Sequence, residues 1–148
     1  HPNADTEGRG LIHMIESYVS RCPGRACAVA SLGQRRYLSV LKMCDAVIGN
    51  SSSGLAEAPS FGVPTVNLGD RQKGRLRASS VLDCEETSGA IQEAITKALS
   101  PEFREKAAQT INPYGQGGAS KKIQEILKSA PLEGLLEKAF FDVSFEAE

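Results

Sequence analysis

The sequence predicts an α/β fold with a doubly wound parallel sheet. Short apolar runs of the kind that form buried strands alternate with segments whose apolar residues recur at helical spacing, which is typical of βαβ units. A run of three serines also begins three residues after the end of one of the short apolar runs and opens a segment of helical character. Ligands of open α/β sheets bind at such strand ends. The chain of 148 residues is long enough for one domain with a sizeable core.

The first third of the chain is predicted to contain two helices and two strands. The apolar residues within 9–18 recur at helical spacing, and the Pro-Gly pair at 23–24 ends that helix. Residues 26–30 form a short apolar run, which we interpret as a buried strand. A second helix is predicted over residues 37–43, and a strand over residues 46–48.

The middle of the chain is predicted to contain a short, interrupted helix and two further strands. Gly62 with Pro64 two residues later is a typical helix stop. Pro59 removes one helical hydrogen bond, so we expect a kink after about one and a half turns. Residues 65–68 and 80–83 are the next two predicted strands, and a loop rich in Lys and Arg joins them.

The last part of the chain is predicted to be helical. Thr87 or Ser88 caps a helix with one apolar face, and a Ser-Pro pair begins the next helix. A glycine-rich loop at residues 112–118 precedes a further amphipathic helix. We expect residues 1–130 to form a Rossmann-like domain that is incomplete at its N-terminal side, and residues 131–148 to form a helix and a tail.

Composition and charge argue against several classes of protein. The hydrophobic content of 41% and the charged content of 24% are those of an ordinary globular protein. The net charge is −1, and aromatic residues are not interleaved with the basic ones, which argues against nucleic-acid binding. No apolar run approaches the ~20 residues of a membrane span, and the N-terminus has no signal-peptide pattern. We therefore expect a cytoplasmic protein that binds neither nucleic acid nor a membrane.

The cysteines do not form a metal-binding pattern. No C-x-x-C pair is present among the four cysteines, Cys22, Cys27, Cys44 and Cys84. The chain has two histidines, which are few to complete a metal site. Scattered cysteines beside apolar residues are typical of small buried side chains in a reducing compartment. We expect buried free thiols, no disulfide, no metal and no cofactor.

Ser51, Ser52 and Ser53, with Gly54 behind them, predict an anion site. Hydroxyls, exposed backbone N–H groups and the positive end of a helix dipole favour phosphate at such a place. The alternative is a plain N-cap, because one serine at a helix start can satisfy orphan N–H groups without a ligand. A cap needs one hydroxyl and the sequence offers three, so we favour a ligand.

Glu57 and Arg71 are the two charged residues that could join this site. Glu57 lies four residues after Ser53 and therefore on the same helix face, where a carboxylate can accept hydrogen bonds from a diol such as ribose. A solvated glutamate is equally compatible with the sequence. Arg71 follows a predicted strand end and begins a run of four cations in seven residues. Arg can clamp a pyrophosphate with paired hydrogen bonds, although a solvated loop is the plainer interpretation.

Several stretches of the sequence together resemble a known family. Residues 49–75 contain GNSSSG, EAP and GVPTVNLGDRQKGR in that order. The same family fits HPNAD at residues 1–5, SLGQ at 31–34 with Tyr-Leu at 37–38, and NPYG at 112–115. Over residues 1–130 the chain resembles the hydrolysing UDP-N-acetylglucosamine 2-epimerases. The resemblance is closest to the branch that makes N-acetylmannosamine for sialic-acid-type sugars.

The resemblance implies a glycosyltransferase-B architecture, with UDP in the cleft mostly against the C-terminal domain. Ser51 and Ser52 would hold the diphosphate, Glu57 would take the ribose hydroxyls, and Arg71 would lie near the phosphates or the sugar. The strand end at the N-terminus would reach the nucleotide, and the loop before the second helix would border the uracil. The predicted substrate-binding residues are Asn3, Ser31, Leu32, Ser51, Ser52, Ser53, Gly54, Glu57 and Arg71.

The resemblance also implies that the catalytic groups lie outside this sequence. Such enzymes eliminate UDP and add water without a metal or nicotinamide, using acidic groups of an N-terminal domain and a histidine near the interdomain segment. His1 belongs to a different His-Pro pair, and a sheet of order 3-2-1-4-5-6 would place further strands before it. We therefore expect the C-terminal, UDP-binding part of a UDP-N-acetylglucosamine 2-epimerase, inactive alone and a homo-oligomer as the full-length protein.

Two other functions are compatible with the same residues. A UDP-sugar glycosyltransferase of the same architecture would bind its nucleotide in the same way and transfer the sugar to an acceptor. A non-catalytic module that binds a nucleotide would need the serine turn but no catalytic half.

Overall fold

The computed structural model describes residues 8–134. By its internal contacts the chain divides into two units, His1–Tyr114 and Gly115–Glu148. The predicted site residue Asn3 and most of the predicted C-terminal helix lie outside the described residues.

The first unit is an α/β structure with a parallel sheet, as the sequence predicts. Within its described residues the sheet has three strands in spatial order β1-β2-β3, namely β1 (Val47–Gly49), β2 (Thr65–Leu68) and β3 (Val81–Cys84). Both strand pairs are parallel, with Gly49 opposite Asn67 and Asn67 opposite Asp83. These three residues form a row across the sheet near its carboxyl end.

Two of the helices begin at the predicted capping residues Thr87 and Ser100. The Thr87 hydroxyl accepts a hydrogen bond from the backbone of Ala90 at 3.3 Å, and the Ser100 hydroxyl accepts one from Phe103 at 3.2 Å. These bonds satisfy N–H groups that have no partner inside the helix. The helices of the described residues are α1 (Gly8–Arg21), α2 (Gly33–Met43), α3 (Ser53–Ala56), α4 (Ser88–Ala98), α5 (Pro101–Ala108) and α6 (Ala119–Ser129).

The helix after the serine run is interrupted, as Pro59 predicts. The α-helical turn α3 gives way to a 3₁₀ helix, Ala58–Phe61, which ends at Gly62 in the left-handed conformation with φ 66°. A Cβ at Gly62 would lie 2.9 Å from Cα of Ala108, so glycine also allows this turn to approach α5 closely. The predicted stop signal is confirmed.

A small hydrophobic cluster holds these elements together. Leu41, Ala58 and Val63 are buried, and partly buried side chains of α2, β1 and the 3₁₀ helix pack against them. Leu55 of α3 and Val66 of β2 are 1% and 0% exposed. This packing holds α2 against the 3₁₀ helix and the first residue of β1.

The predicted strand over residues 26–30 is wrong. This segment has no regular secondary structure, and Val29 is half exposed. An apolar run forms a strand when a neighbouring strand pairs with its backbone, and no such neighbour is present among the described residues.

The prediction of buried cysteines is also wrong. All four thiols are free, but Cys27 and Cys44 are exposed and Cys22 and Cys84 are half-buried. Cys22 and Cys44 directly follow the ends of α1 and α2, Cys27 lies in a segment without regular secondary structure, and Cys84 is the last residue of β3. Among the described residues, none of the helices is both long and apolar enough to span a bilayer.

Candidate functional site

The serine turn, residues 50–53, leaves the carboxyl end of β1 and enters α3. Gly49 has φ 145°, a conformation that side chains rarely allow, and it redirects the chain out of the strand. Ser51 and Ser52 are exposed in this turn. The turn therefore lies at the edge of the sheet where the sequence predicts a ligand.

Some donor groups of the serine turn have no partner among residues 8–134. Within the described residues, the backbone N–H groups of Ser51 and Ser52 and the hydroxyl of Ser52 meet no acceptor. Ser52 occupies the N-cap position of α3 but has helical backbone angles and makes no side-chain capping bond. The hydroxyl of Ser51 accepts only a long 3.4 Å bond from the backbone of Ser53. The plain-cap alternative thus fails for Ser52, and a ligand with acceptor oxygens fits these donors.

The helix dipole contributes less to this site than the sequence argument assumed. Helix α3 contains 4 residues, so few peptide dipoles add along its axis. The proline that interrupts the helix is the physical cause. Local N–H and O–H donors must therefore supply most of the attraction for an anion.

Ser53 and Glu57 form an internal hydrogen-bonded pair. The hydroxyl of Ser53 donates to Oε2 of Glu57 at 2.5 Å, and the hydroxyl of Tyr37 from α2 contacts the same serine oxygen. Because the Ser53 proton points to the carboxylate, Tyr37 is the donor to Ser53. Both members of the pair are half-buried. Ser53 therefore orients Glu57, whose other oxygen is left to accept from a ligand.

Gly54 has a packing role between α3 and β2. A Cβ at this residue would lie 2.7 Å from Cγ2 of Thr65, which is 1% exposed. The carbonyl of Gly54 accepts a hydrogen bond from the Thr65 hydroxyl at 3.0 Å, and its N–H donates to Ser51. The absent side chain thus lets α3 lie directly on β2.

The cations of the basic loop, residues 69–77, are not equivalent. Lys73 lies 3.6 Å from a carboxylate oxygen of Asp70, and Arg77 lies 2.6 Å from one of Asp83. Arg71 is exposed and has no acidic partner among residues 8–134. Arg75, the fourth cation of this loop, likewise has no such partner there. Two positive charges are therefore available to an anionic ligand.

One hydrogen bond connects the basic loop to the serine turn. The side-chain amide of Gln72 donates to the carbonyl of Asn50 at 2.7 Å, and Gln72 is 4% exposed. Arg71 directly precedes Gln72, so this bond holds the arginine in the vicinity of the serine turn. The structure thus brings the predicted residues of the turn close to the loop that carries Arg71.

Two residues of the second glycine-rich loop support the site, which the sequence analysis did not foresee. The buried amide of Asn112 donates to the carbonyl of Ala56 at 2.8 Å and to the hydroxyl of Ser60 at 2.6 Å. The hydroxyl of Tyr114 donates to the carbonyl of Leu76 in the basic loop at 3.1 Å. The NPYG segment of the family resemblance was the available signal for both residues.

Ser31 and Leu32 lie at the start of α2. The hydroxyl of Ser31 accepts from the backbone of Gly33 at 3.3 Å, and Leu32 is the half-buried N-cap residue. Tyr37 lies five residues after Leu32, about 7.5 Å along a helix, and its hydroxyl reaches the serine turn. The same helix therefore connects these residues to the site.

Comparison with known proteins shows the family to which this sequence belongs. A family model described as UDP-N-acetylglucosamine 2-epimerase matches residues 1–128. The chain is similar to the GDP/UDP-N,N'-diacetylbacillosamine 2-epimerase (hydrolyzing) of Campylobacter jejuni, with 38% identity over 142 residues that cover 95% of this chain and 36% of the relative. It is 34% identical over 131 residues to the UDP-N,N'-diacetylbacillosamine 2-epimerase (hydrolyzing) of Legionella pneumophila, covering 88% and 33%.

A third relative is the polysialic acid biosynthesis protein P7 of Escherichia coli. It is 40% identical over 126 residues, which cover 85% of this chain and 32% of the relative. The chain thus spans about a third of the length of the curated relatives it matches.

Proposed function

Because the chain belongs to the UDP-N-acetylglucosamine 2-epimerase family, we propose that it is the C-terminal, UDP-binding part of a hydrolysing enzyme of this kind. The full-length enzyme would convert UDP-N-acetylglucosamine to UDP and N-acetylmannosamine. The observation that supports this role most directly is the serine turn beside the loop that carries Arg71. Within residues 8–134, Ser51 and Ser52 have donors that meet no acceptor.

The diphosphate is the part of UDP that suits the serine turn. Its oxygens are charged acceptors, and a hydrogen bond to a charged group contributes about 1.5–3 kcal/mol. Ser51 and Ser52 would donate to these oxygens, and Arg71 would supply positive charge from the neighbouring loop. Lys73 and Arg77 each lie beside an acid, whereas Arg71 has no acidic partner among residues 8–134 and is therefore the better partner for a phosphate.

The ribose of UDP suits Glu57. Vicinal hydroxyls are donors, and an ionised carboxylate is an acceptor with about four lone-pair directions. The Ser53 hydroxyl occupies one of them at 2.5 Å and keeps the carboxylate oriented. Ser53 therefore acts on the nucleotide through Glu57, whereas Ser51 and Ser52 would contact it directly.

In the reaction, this part of the enzyme would bind the leaving group. Breaking the bond between C1 of the sugar and the phosphate oxygen leaves negative charge on UDP, while the C2 proton goes to a base. Donors that hold the diphosphate stabilise that charge. Water then adds to the unsaturated sugar and gives the epimer. We expect the proton-transfer groups in a glycosyltransferase-B partner domain outside residues 1–148, so these residues alone should be inactive.

Titration calorimetry of the full-length protein with UDP tests the site. Ser52→Ala and Glu57→Gln should each weaken UDP binding by roughly 10- to 100-fold, the equivalent of one hydrogen bond with a charged partner. Ser129→Ala is the matched control, because that hydroxyl bonds only to carbonyls of its own helix α6. If both site variants bind UDP as tightly as the control, the proposed nucleotide site is wrong.

A second candidate substrate is UDP-N,N'-diacetylbacillosamine, which appears in the names of two of the relatives. The serine turn and Glu57 would bind the same UDP group in either case. Product analysis by NMR with each nucleotide sugar distinguishes the two, because the released sugars differ at C4 and C6. Transfer of the sugar to an acceptor, without release of a free epimer, would instead favour a glycosyltransferase. Nucleotide binding with no turnover by the full-length protein would favour a non-catalytic module.

We also propose that the full-length enzyme works in the cytoplasm as a homo-oligomer. Light scattering of the purified full-length protein checks the second part of this proposal. A monomer at working concentration would contradict it.

A further inference from the structure

The basic loop is folded around one of its own cations, Arg77. One guanidinium nitrogen donates to the carbonyl of Arg75 at 2.8 Å, and another donates to the carbonyl of Gln72 at 3.3 Å. The Nε atom lies 2.6 Å from a carboxylate oxygen of Asp83. Its N–H group does not point at that oxygen, so the contact is an ion pair without a hydrogen bond. The Arg77 side chain is 28% exposed, unlike the solvated Lys73 at 79%. Arg77 is therefore part of the structure of the loop.

The sheet holds the acid that binds Arg77. The second carboxylate oxygen of Asp83 accepts a hydrogen bond from the side chain of Asn67 at 2.7 Å. Asn67 is 0% exposed and lies directly opposite Asp83 in the register of β2 and β3. A fully buried side chain on a central strand has little freedom to move, so Asp83 is a fixed anchor for the loop.

The contacts continue from Arg77 to the serine turn. Gln72 accepts from Arg77 through its carbonyl and donates through its side chain to Asn50 at 2.7 Å. A continuous series of polar contacts thus connects Asn67, Asp83, Arg77, Gln72 and Asn50. It begins inside the sheet and ends in the turn that carries the unpartnered serine donors.

We propose that Arg77 is a positioning residue for nucleotide binding: it holds the basic loop against the serine turn and so places Arg71 on the diphosphate without touching UDP. This inference rests on the proposed function. A solvated surface arginine would not donate to two carbonyls of its own loop while it pairs with an anchored acid. The geometry instead matches the forked guanidinium, which can satisfy several fixed acceptors at once.

Arg77→Lys separates this role from charge alone. Lysine keeps the positive charge and can remain near Asp83, but a single ammonium cannot reach both loop carbonyls with the geometry of the fork. We expect UDP binding by the full-length protein to weaken about tenfold, as for the loss of one or two charge-assisted hydrogen bonds. Binding of uridine, which has no phosphate, should stay within about twofold of wild type.

Arg104→Lys is the matched control. Arg104 also pairs with an aspartate, Asp45, at 2.8 Å, but that pair lies before the start of β1, at the other end of the strand from the serine turn. Arg104→Lys should leave the affinities for UDP and for uridine unchanged. Asp83→Asn is a second test variant, because it keeps an oxygen for Asn67 and removes the ion pair, and it should reproduce the UDP-specific loss.

The decisive measurement is a double-mutant cycle with Arg71→Ala. If Arg77 acts by placing Arg71, Arg77→Lys should cause no further loss of UDP affinity in the Arg71→Ala protein. Additive losses, an equal loss for uridine, or unchanged UDP affinity in both test variants would overturn the inference. Failure of the proposed function would look different: UDP binding would be insensitive to Ser52→Ala as well.

Discussion

Gly54→Ala tests whether the close contact between α3 and β2 builds the serine turn. The new Cβ would lie 2.7 Å from Cγ2 of Thr65, a contact that the buried threonine must relieve. Rotating Thr65 would break its 3.0 Å hydrogen bond to the carbonyl of Gly54. Overpacking costs about 1–3 kcal/mol and the lost bond about 1 kcal/mol, while alanine gains up to about 1 kcal/mol in helix propensity. The cost of the steric contact and of the lost bond therefore exceeds the gain in helix propensity, and the net destabilisation is roughly 1–3 kcal/mol.

Hydrogen–deuterium exchange in the full-length protein measures this cost locally. In Gly54→Ala, the protection of peptides that contain Thr65 against amide exchange should fall about 5- to 150-fold. Gly89→Ala is the control, since its Cβ meets nothing within 4 Å and it should be neutral or slightly stabilising. Thr65→Ser removes Cγ2 but keeps the hydroxyl, so Gly54→Ala should cost much less in that background. Equal cost in both backgrounds would refute the steric argument.

Two further substitutions address the polar contacts of the site. Ser53→Ala should weaken UDP binding about 3- to 30-fold in titration calorimetry, because Glu57 loses its 2.5 Å hydrogen bond and its fixed orientation. Unchanged affinity would mean that this bond does not orient the carboxylate. Asn112→Ala should destabilise the full-length protein by about 2–4 kcal/mol in urea unfolding. The variant leaves the carbonyl of Ala56 without its 2.8 Å hydrogen bond and the hydroxyl of Ser60 without its 2.6 Å hydrogen bond. A destabilisation below about 0.5 kcal/mol would show that water replaces the amide.

The sequence predicts the fold well where local chemistry decides the structure. The helix starts at Thr87 and Ser100 and the break at Pro59 follow from residues that act within a few positions of themselves. Residues 26–30 show the limit of this argument. Their apolar run is indistinguishable from that of a buried strand, but a strand also requires a pairing partner, which local sequence does not reveal.

The candidate site likewise contains residues that local sequence predicts and supporting contacts that it does not. Ser51, Ser52 and Arg71 could be chosen from the sequence because their residue types and their places after strand ends already favour an anion. The supporting contacts of Tyr37, Gln72 and Asn112 could not, because each joins segments between 16 and 56 residues apart. Their residue types and positions alone do not distinguish them from ordinary polar side chains, and the family resemblance, whose segments contain all three residues, was the available signal.

The register of the sheet links the core to the proposed site. Gly49, Asn67 and Asp83 are paired across the three strands, and each contributes to the site from that row. If β3 slipped by one residue against β2, Leu82 or Cys84 would stand opposite Asn67, and the side chains of β3 would exchange faces. Arg77 would then lose the carboxylate that Asn67 holds. The apolar residues that fix the strand register, Val66 among them, therefore also determine where the basic loop can lie. We accordingly expect core substitutions in β2 to weaken UDP binding before they unfold the sheet.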